Sequence, residues 1–255
     1  MYINLARERE FAILKIVRPK AMNALSFGIL REIGEALDAV REMDVRALLI
    51  TGSGDKAFCA GADIKELRNR SLMEQKRGAE IGQSVFTRLD TLPMPSVALI
   101  NGYAFGGGLE LALACTFRLA TPNAAMGLPE IKLGLIPGYG GTQRLPRLIG
   151  EAKALEMIMT GKTVTATEAL DLGLVSEVID GPVLDQGMAF ARRFTRYSLP
   201  ALKFAREAVQ RAGDTPINEG LKIEADLSSL AFCTRDAEEG MSAFEEKRKP
   251  EFRDE

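Results

Sequence analysis

The chain has 255 residues, 46% of them hydrophobic, with 33 basic and 35 acidic side chains and no histidine. That is enough apolar sequence for one large domain or a domain with an appendage, and the near-cancelling charges leave no global field to draw the protein to nucleic acid or an anionic membrane. Without histidine there is no Ser-His-Asp or Cys-His machinery and a transition-metal site would need unusual ligands, so acid–base work at neutral pH falls to carboxylates, Lys, Tyr or Cys.

The first ten residues already carry Arg7, Glu8, Arg9 and Glu10, and no apolar run approaches the roughly 18 to 20 residues of a membrane span. An unexported, cytoplasmic protein with no membrane partner is expected. Phe11 to Val17 reads as a strand ended by Arg18-Pro19-Lys20. Ser26 then caps a helix in which Ile29, Leu30, Ile33, Leu37 and Val40 recur at helical spacing. Val45 to Thr51 is a second strand, followed by a glycine-rich loop from Gly52 to Ala62 and a helix from about Ile64. A long polar helix covers Leu72 to Leu89, and Pro93 and Pro95 precede a third strand, Val97 to Ile100.

Phe117 to Ala120 is a short fourth strand. Helices at Ala152 to Met159 and Thr167 to Leu172 are joined by a turn at Gly161, and the chain is extended from Gly173 to Ile179. Past Gly181-Pro182 the pattern is almost wholly helical: Asp185 to Tyr197, Pro200 to Ala212, Ile217 to Phe232 and Ala237 to Lys249. Strands alternating with helices argue an α/β fold, and the helical tail argues a cover or an oligomerisation element.

Cys59, Cys115 and Cys233 are odd in number and far apart, which fits a reducing compartment and buried thiols serving as small hydrophobes. Gly52-Ser53-Gly54-Asp55-Lys56-Ala57 follows a strand with dinucleotide-binding spacing, but Phe58-Cys59-Ala60-Gly61 intervene before any helix, where a dinucleotide turn enters its helix directly. Gly161-Lys162-Thr163 ends like a phosphate loop, yet Glu156 stands where that loop needs its first glycine.

The stretch that carries chemistry runs from Asn101 to Leu145. The strand before it turns at Asn101-Gly102 and reaches Gly106, Gly107 and Gly108 directly before a helical pattern. A helix that begins on bare glycines leaves its first N–H groups uncovered, so they and the helix dipole face whatever anion or polarised oxygen sits there. Glu110 is the only charge between Gly108 and Phe117 and is flanked by Leu109, Leu111, Ala112, Leu113 and Ala114. Burial there disfavours its ionised form, which suits a group that gives and takes a proton. A structural pairing with a buried Arg is the plain alternative. Glu130, after Pro129, has the local look of an ordinary helix cap, and its significance comes from the company of Glu110.

Phe58-Cys59-Ala60-Gly61-Ala62-Asp63-Ile64-Lys65-Glu66, Gly106-Gly107-Gly108 with Glu110, Pro129-Glu130-Ile131, and Ile136-Pro137-Gly138 through Gly141-Thr142-Gln143-Arg144-Leu145 resemble the enoyl-CoA hydratase (crotonase) superfamily. The likeness extends to Arg18-Pro19-Lys20-Ala21-Met22-Asn23-Ala24-Leu25 and to Ala243-Phe244-Glu245-Glu246-Lys247-Arg248-Lys249-Pro250, so it covers nearly the whole chain. It implies a spiral of repeated β-β-α units over residues 1–195 and a helical C-terminal region, 196–255, that builds trimers or dimers of trimers. It implies an oxyanion hole from the N–H groups of Ala62 and Gly107, and a catalytic pair at Glu110 and Glu130. Ala60, Ala62, Asp63, Ile64 and Lys65 would line the CoA thioester with Ala21 and Ala24 nearby, and Phe244 and Lys247 would reach the CoA of a neighbouring subunit.

The presence of both glutamates favours hydration of a 2-enoyl-CoA, with no metal and with CoA as part of the substrate rather than a cofactor. An enoyl-CoA isomerase is the same-fold alternative, and an RNA- or protein-binding member with little catalysis is the alternative of another class. Leu109, Leu128 and the run Ala125-Met126-Gly127-Leu128 look closer to the methylglutaconyl-CoA hydratase branch. An RNA-binding member of that branch uses a lysine-rich helix, whereas Arg31 to Met43 here carries Glu32, Glu35, Asp38 and Glu42 against Arg31 and Arg41, so no nucleic-acid partner is expected.

Overall fold

Continuous apolar runs become the strands of the larger of two sheets in the computed structural model, which describes residues 1–255. Its strands are β1 (Ile3–Glu8), β2 (Phe11–Ile16), β3 (Ala47–Gly52), β5 (Ser96–Ile100), β7 (Phe117–Ala120) and β10 (Glu177–Val178), in the order β1-β2-β3-β5-β7-β10. From β2 onward neighbours are parallel, with Phe11 opposite Ala47, Leu48 opposite Ser96 and Val97 opposite Phe117. Every residue of β3 and β5 is buried, as expected of parallel strands covered on both faces. Only β1 is antiparallel, pairing Ile3 with Ile16 on the edge; Ile3 is its one buried residue, and a mostly exposed edge strand carries too little apolar signal to be read from sequence.

The second sheet is made of β4 (Ala57–Cys59), β6 (Tyr103–Phe105), β8 (Ala125–Gly127) and β9 (Thr163–Thr165), in that order. None of these strands is expected from the sequence, because three residues are too few to establish a two-residue period. Three of the four are nevertheless placed by their predecessors: β3 turns into β4, β5 into β6 and β7 into β8, while β9 follows α6. Three times the chain lays one strand in the large sheet, one in the small sheet and then a helix, which is the β-β-α spiral.

The helices follow their caps. Ser26 accepts from the Ile29 N–H at 3.1 Å and starts α1 (Phe27–Arg41), whose expected apolar face is buried. After the short α2 (Ile64–Leu67), Ser71 and Glu74 form a reciprocal capping box at the start of α3 (Leu72–Asp90). Then come α4 (Gly107–Ala114), α5 (Gly141–Ile149), α6 (Glu151–Thr160) and α7 (Ala166–Asp171). The sequence gives no sign of α5, which contains Pro146 and begins on glycine.

Contacts divide the chain into two compact units, 1–92 with 96–190 and 93–95 with 191–255. Helix α8 (Val183–Thr195) runs across the boundary in sequence, and α9 (Leu199–Ala212), α10 (Ile217–Phe232) and α11 (Arg235–Glu245) belong to the second unit, which has no strand. There Arg206 donates to the Met94 carbonyl at 2.8 Å, and buried Asp236 accepts from the N–H groups of Arg253 and Asp254. Cys59 and Cys115 are buried as expected, but Cys233, at the end of α10, is exposed. Its neighbours Leu230 and Phe232 are exposed too, so an apolar local sequence marked a surface here rather than a core.

Candidate active site

The three glycines meet three different neighbours. Gly106 has φ +49 and ψ −126, a conformation open to glycine and little else, and a Cβ there would lie 2.7 Å from Oε1 of Glu130. A Cβ on Gly107 would stand 3.1 Å from the Tyr139 ring. On Gly108 it would stand 2.0 Å from the Cys59 carbonyl oxygen, so the first turn of α4 rests directly on β4. The helix therefore begins with uncovered backbone, and the Gly107 N–H donates to no protein acceptor.

A second such donor stands beside it. Leu25 donates to the Gly61 carbonyl at 2.8 Å and accepts from the Asp63 N–H at 2.8 Å, forming a parallel bridge around Ala62. A residue bracketed in this way turns its own N–H toward the opposite edge, and the Ala62 N–H likewise has no protein acceptor. Gly61, at φ +107, brings the turn close: a Cβ on it would lie 3.1 Å from the Phe105 carbonyl and 3.9 Å from the Gly107 nitrogen. The two donors thus follow β4 and β6, neighbouring parallel strands of the small sheet.

Glu110 lies in the first turn of α4 and is 2% exposed. Its Oε1 accepts from the N–H groups of Tyr139 at 2.7 Å and Gly141 at 2.8 Å, the latter opening α5. Burial pushes its carboxyl up to about 7, with the Gly141 N–H opposing and the charge of Glu130 adding to the rise. Glu130 sits in a one-turn 3-10 helix, Pro129–Leu133. Burial raises its carboxyl as well, opposed by a bond from its own N–H, and its Oε2 is buried without a hydrogen-bond partner. A buried carboxyl oxygen with no donor is costly as an anion and comfortable as an acid.

Both glutamates, Ala62, Gly106 and Gly107 line one cavity of about 260 Å³. Apart from Gln75 its walls are otherwise mostly apolar, from Ile64, Leu67, Leu133, Leu135, Ile136 and Tyr139 among others. Tyr139 closes one side, its ring pressed on Gly82 of α3, where a Cβ would be 2.2 Å away, and edge-on to Phe86 at 5.8 Å. Burial and the Glu110 charge push its hydroxyl up to about 12. Sequence reasoning missed Tyr139 and the apolar rim; an aromatic set among Pro137, Gly138, Gly140 and Gly141 was the available signal.

Of the remaining expected residues, Ala60 and Ile64 line the cavity. The Asp63 carboxylate is engaged elsewhere: it pairs with Arg18 at 2.8 Å, which holds it below the usual carboxylate range, and caps α2 through the Lys65 N–H at 3.1 Å. Lys65 is exposed on α2. Ala24 offers its carbonyl to Arg18 at 3.1 Å, and Ala21 ends the 3-10 turn Pro19–Ala21. Phe244 is 85% exposed on α11, and Lys247, at φ +56, closes that helix in a Schellman turn with Lys247 N–H on the Phe244 carbonyl and Arg248 N–H on that of Ala243. Both lie in the second unit, and neither lines the cavity.

Residues 7–255 match the family described as enoyl-CoA hydratase/isomerase. A crotonyl-CoA hydratase from Syntrophomonas wolfei is 44% identical, covering 98% of this chain and 97% of the relative. A short-chain-enoyl-CoA hydratase from Clostridium acetobutylicum is 38% identical over 97% of this chain and 95% of its own length. The crystal structure of an enoyl-CoA hydratase from Bacillus anthracis superposes with a TM-score of 0.94 at 36% identity, covering 100% of both chains.

Proposed function

The chain belongs to the enoyl-CoA hydratase/isomerase family, and from that premise we propose that it is an enoyl-CoA hydratase, adding water reversibly across the C2–C3 double bond of a 2-enoyl-CoA thioester. The observation that carries the reading is the convergence of the buried Glu110 carboxyl, the half-buried Glu130 carboxyl with its shielded Oε2, and two unpaired backbone donors on one mostly apolar cavity. The thioester carbonyl accepts from the N–H groups of Ala62 and Gly107. As water oxygen bonds to C3, the π electrons move toward that carbonyl, and the donors stabilise the enolate by roughly 3 to 4 kcal/mol each.

The glutamates divide two proton transfers. Glu110 has one oxygen fixed by two backbone N–H groups, which favours its anion and leaves the other oxygen to orient and deprotonate the attacking water. Glu130, with an oxygen that has no donor to support a charge, keeps a proton and delivers it to C2. One proton is taken from water and one is given to carbon, so the scheme balances without a metal or redox cofactor, CoA being part of the substrate.

The acyl group assigned is short. Two relatives are named for crotonyl-CoA and short-chain enoyl-CoA, and a 260 Å³ cavity suits a few carbons beyond the thioester. Ala21, Ala24, Ala60, Ala62, Ile64 and Lys65 form the CoA-facing rim, Asp63 contributing through its backbone because its carboxylate serves Arg18. In this reading the second unit builds a homo-oligomer, a trimer or a dimer of trimers, supported by the exposed Leu221, Leu230 and Phe232 of α10, and Phe244 and Lys247 would reach a neighbouring subunit's CoA. No helix is long and apolar enough to cross a membrane, and three unpaired cysteines support a reducing cytoplasm.

The test is turnover of straight-chain, branched and carboxylated 2-enoyl-CoAs, with a 3-enoyl-CoA beside them. Fastest hydration of a four-carbon substrate is expected. A preference for the carboxylated substrate would move the chain to the methylglutaconyl type, turnover of only the 3-enoyl-CoA would make it an isomerase, and no CoA-dependent turnover would make it a binding protein.

A further inference from the structure

We propose that Asn23 is a positioning residue for this reaction: its side-chain amide fixes the strand that presents the Ala62 N–H and so sets the geometry of the donor pair. The proposal rests on the reading of Ala62 as an oxyanion donor. Met22 and Asn23 are consecutive non-glycine residues in the left-handed region, at φ +48 and +58, a conformation that persists only where the surroundings impose it. What imposes it is the Asn23 amide, 1% exposed. Its Nδ2 donates to the carbonyls of Ala57 at 2.7 Å and Ser53 at 3.0 Å, and its Oδ1 accepts from the Arg18 N–H at 2.9 Å and the Ser53 hydroxyl at 3.2 Å. Every hydrogen-bonding direction of the amide is in use.

From this anchor the backbone zips along the open edge of β4 toward the site. The Ala60 N–H reaches the Met22 carbonyl at 3.0 Å, and Leu25 then brackets Ala62 through Gly61 and Asp63. The other edge of β4 pairs with β6, the strand that leads to Gly107, but that pairing is short and shifts register between Ala57 and Cys59. A three-residue ladder with a register shift leaves the height of β4 weakly specified. The Asn23 amide grips β4 at Ala57, the point of the shift, and thereby fixes how far Ala62 stands from Gly107. The glycine-rich loop that fails as a nucleotide site has its role here: a Cβ on Gly52 would lie 2.3 Å from the Phe58 carbonyl oxygen, 2.4 Å from that of Ala57 and 2.7 Å from the Asn23 Nδ2, so glycine lets β3, β4 and the amide close on one another.

The experiment compares wild type with Asn23→Gly, which accepts the left-handed conformation but lacks the amide, and Asn23→Asp, which keeps the acceptor and loses both donors. Readouts are kcat and KM for crotonyl-CoA, and the isotope-edited infrared carbonyl stretch of bound butanoyl-CoA, which cannot be hydrated. In wild type the bound carbonyl should absorb at lower wavenumber than the free thioester. In the variants it should move back toward the free value, with kcat down by roughly tenfold or more and KM within threefold, because displaced donors act mainly on the transition state. A folded variant with the wild-type carbonyl frequency and kcat within twofold overturns the proposal. Should neither variant fold, the amide serves the fold rather than the placement of a donor, and the proposal is equally overturned. A wild-type carbonyl with no shift on binding would instead refute the oxyanion reading itself.

Discussion

Gly108→Ala tests the proposed donor pair from behind. Its new Cβ would stand 2.0 Å from the Cys59 carbonyl oxygen and 2.7 Å from the carbonyl carbon, backbone atoms of β4 that cannot swing aside. Real Cβ atoms essentially never come within 3.0 Å of such a neighbour, so α4 and β4 must part by at least 3.0 minus 2.0, or 1.0 Å. Gly107 begins α4 and Ala62 follows β4, so the displacement appears directly in the spacing of the two donors. A misplacement of about 1 Å costs on the order of 10² in rate, approaching ~10³ if one donor is lost outright. Kinetics with crotonyl-CoA, followed by the loss of enoyl-thioester absorbance, should show kcat lowered about 100-fold with KM changed only a few-fold. Urea unfolding should show a stability loss of about 1 to 3 kcal/mol. Gly28→Ala, whose Cβ would meet only the Ser26 hydroxyl at 3.6 Å, is the control and should behave as wild type. A folded Gly108→Ala enzyme with kcat within threefold of wild type would refute the placement of the donors.

Glu130→Gln should keep the fold and lower kcat by at least the roughly 10² to 10⁴ typical of acid–base groups; activity within about threefold would reduce Glu130 to a helix cap. Because the proposed mechanism needs both proton transfers in one turnover, Glu110→Gln, Glu130→Gln and the double variant should lie within about tenfold of one another in kcat, and multiplicative losses would show the two carboxyls acting independently rather than as a unit. Burial raises the Glu110 carboxyl from its ordinary 4.5 to about 7 in the folded protein, so the native state binds the extra proton between those limits. Stability therefore falls as pH rises through that window, by on the order of 3 kcal/mol, and levels off above it; Glu110→Gln should lack the slope in chemical denaturation from pH 4 to 8, and an unchanged slope would assign it to another group. Deleting the chain from Pro200 onward should leave insoluble or misassembled protein, and a soluble, fully active monomer by sedimentation would exclude the oligomerisation role.

The inner strands of the larger sheet were legible because they are buried on both faces and so print as apolar runs: Phe11–Ile16, Ala47–Gly52 and Ser96–Ile100 lie within a residue or two of their expected bounds. The smaller sheet was illegible for an equally physical reason. Ala57–Cys59, Tyr103–Phe105 and Ala125–Gly127 owe their extended form to pairing with one another across long sequence separations, not to any local pattern. Helix α5 was hidden because its first turn is held by a tertiary partner: Glu110, distant in sequence, accepts from the Gly141 N–H that opens it. The Asn23 and Asn101 amides look like ordinary turn residues in the sequence. In the structure both are buried, and Asn101 joins the two strand-to-strand turns by donating to the carbonyls of Gly52 at 2.9 Å and Gly54 at 2.7 Å.

The site was more legible than the fold around it because backbone chemistry leaves a mark that tertiary contacts do not erase. At this helix start a Cβ on Gly108 would overlap the β4 backbone at Cys59, one on Gly106 would crowd the Glu130 carboxyl, and one on Gly107 would sit tight against the Tyr139 ring. The backbone contact at Gly108 and the positive φ of Gly106 both call for glycine, and the run leaves the first N–H groups of α4 without side-chain cover. The same geometry explains why Glu110 stood out and Glu130 did not. Glu110 shares the helix with the glycines, so its burial shows locally as a lone charge among Leu and Ala. Glu130 becomes unusual only when its side chain meets Gly106 and its Oε2 is left without a donor, a relation between two loops that no local stretch of sequence contains.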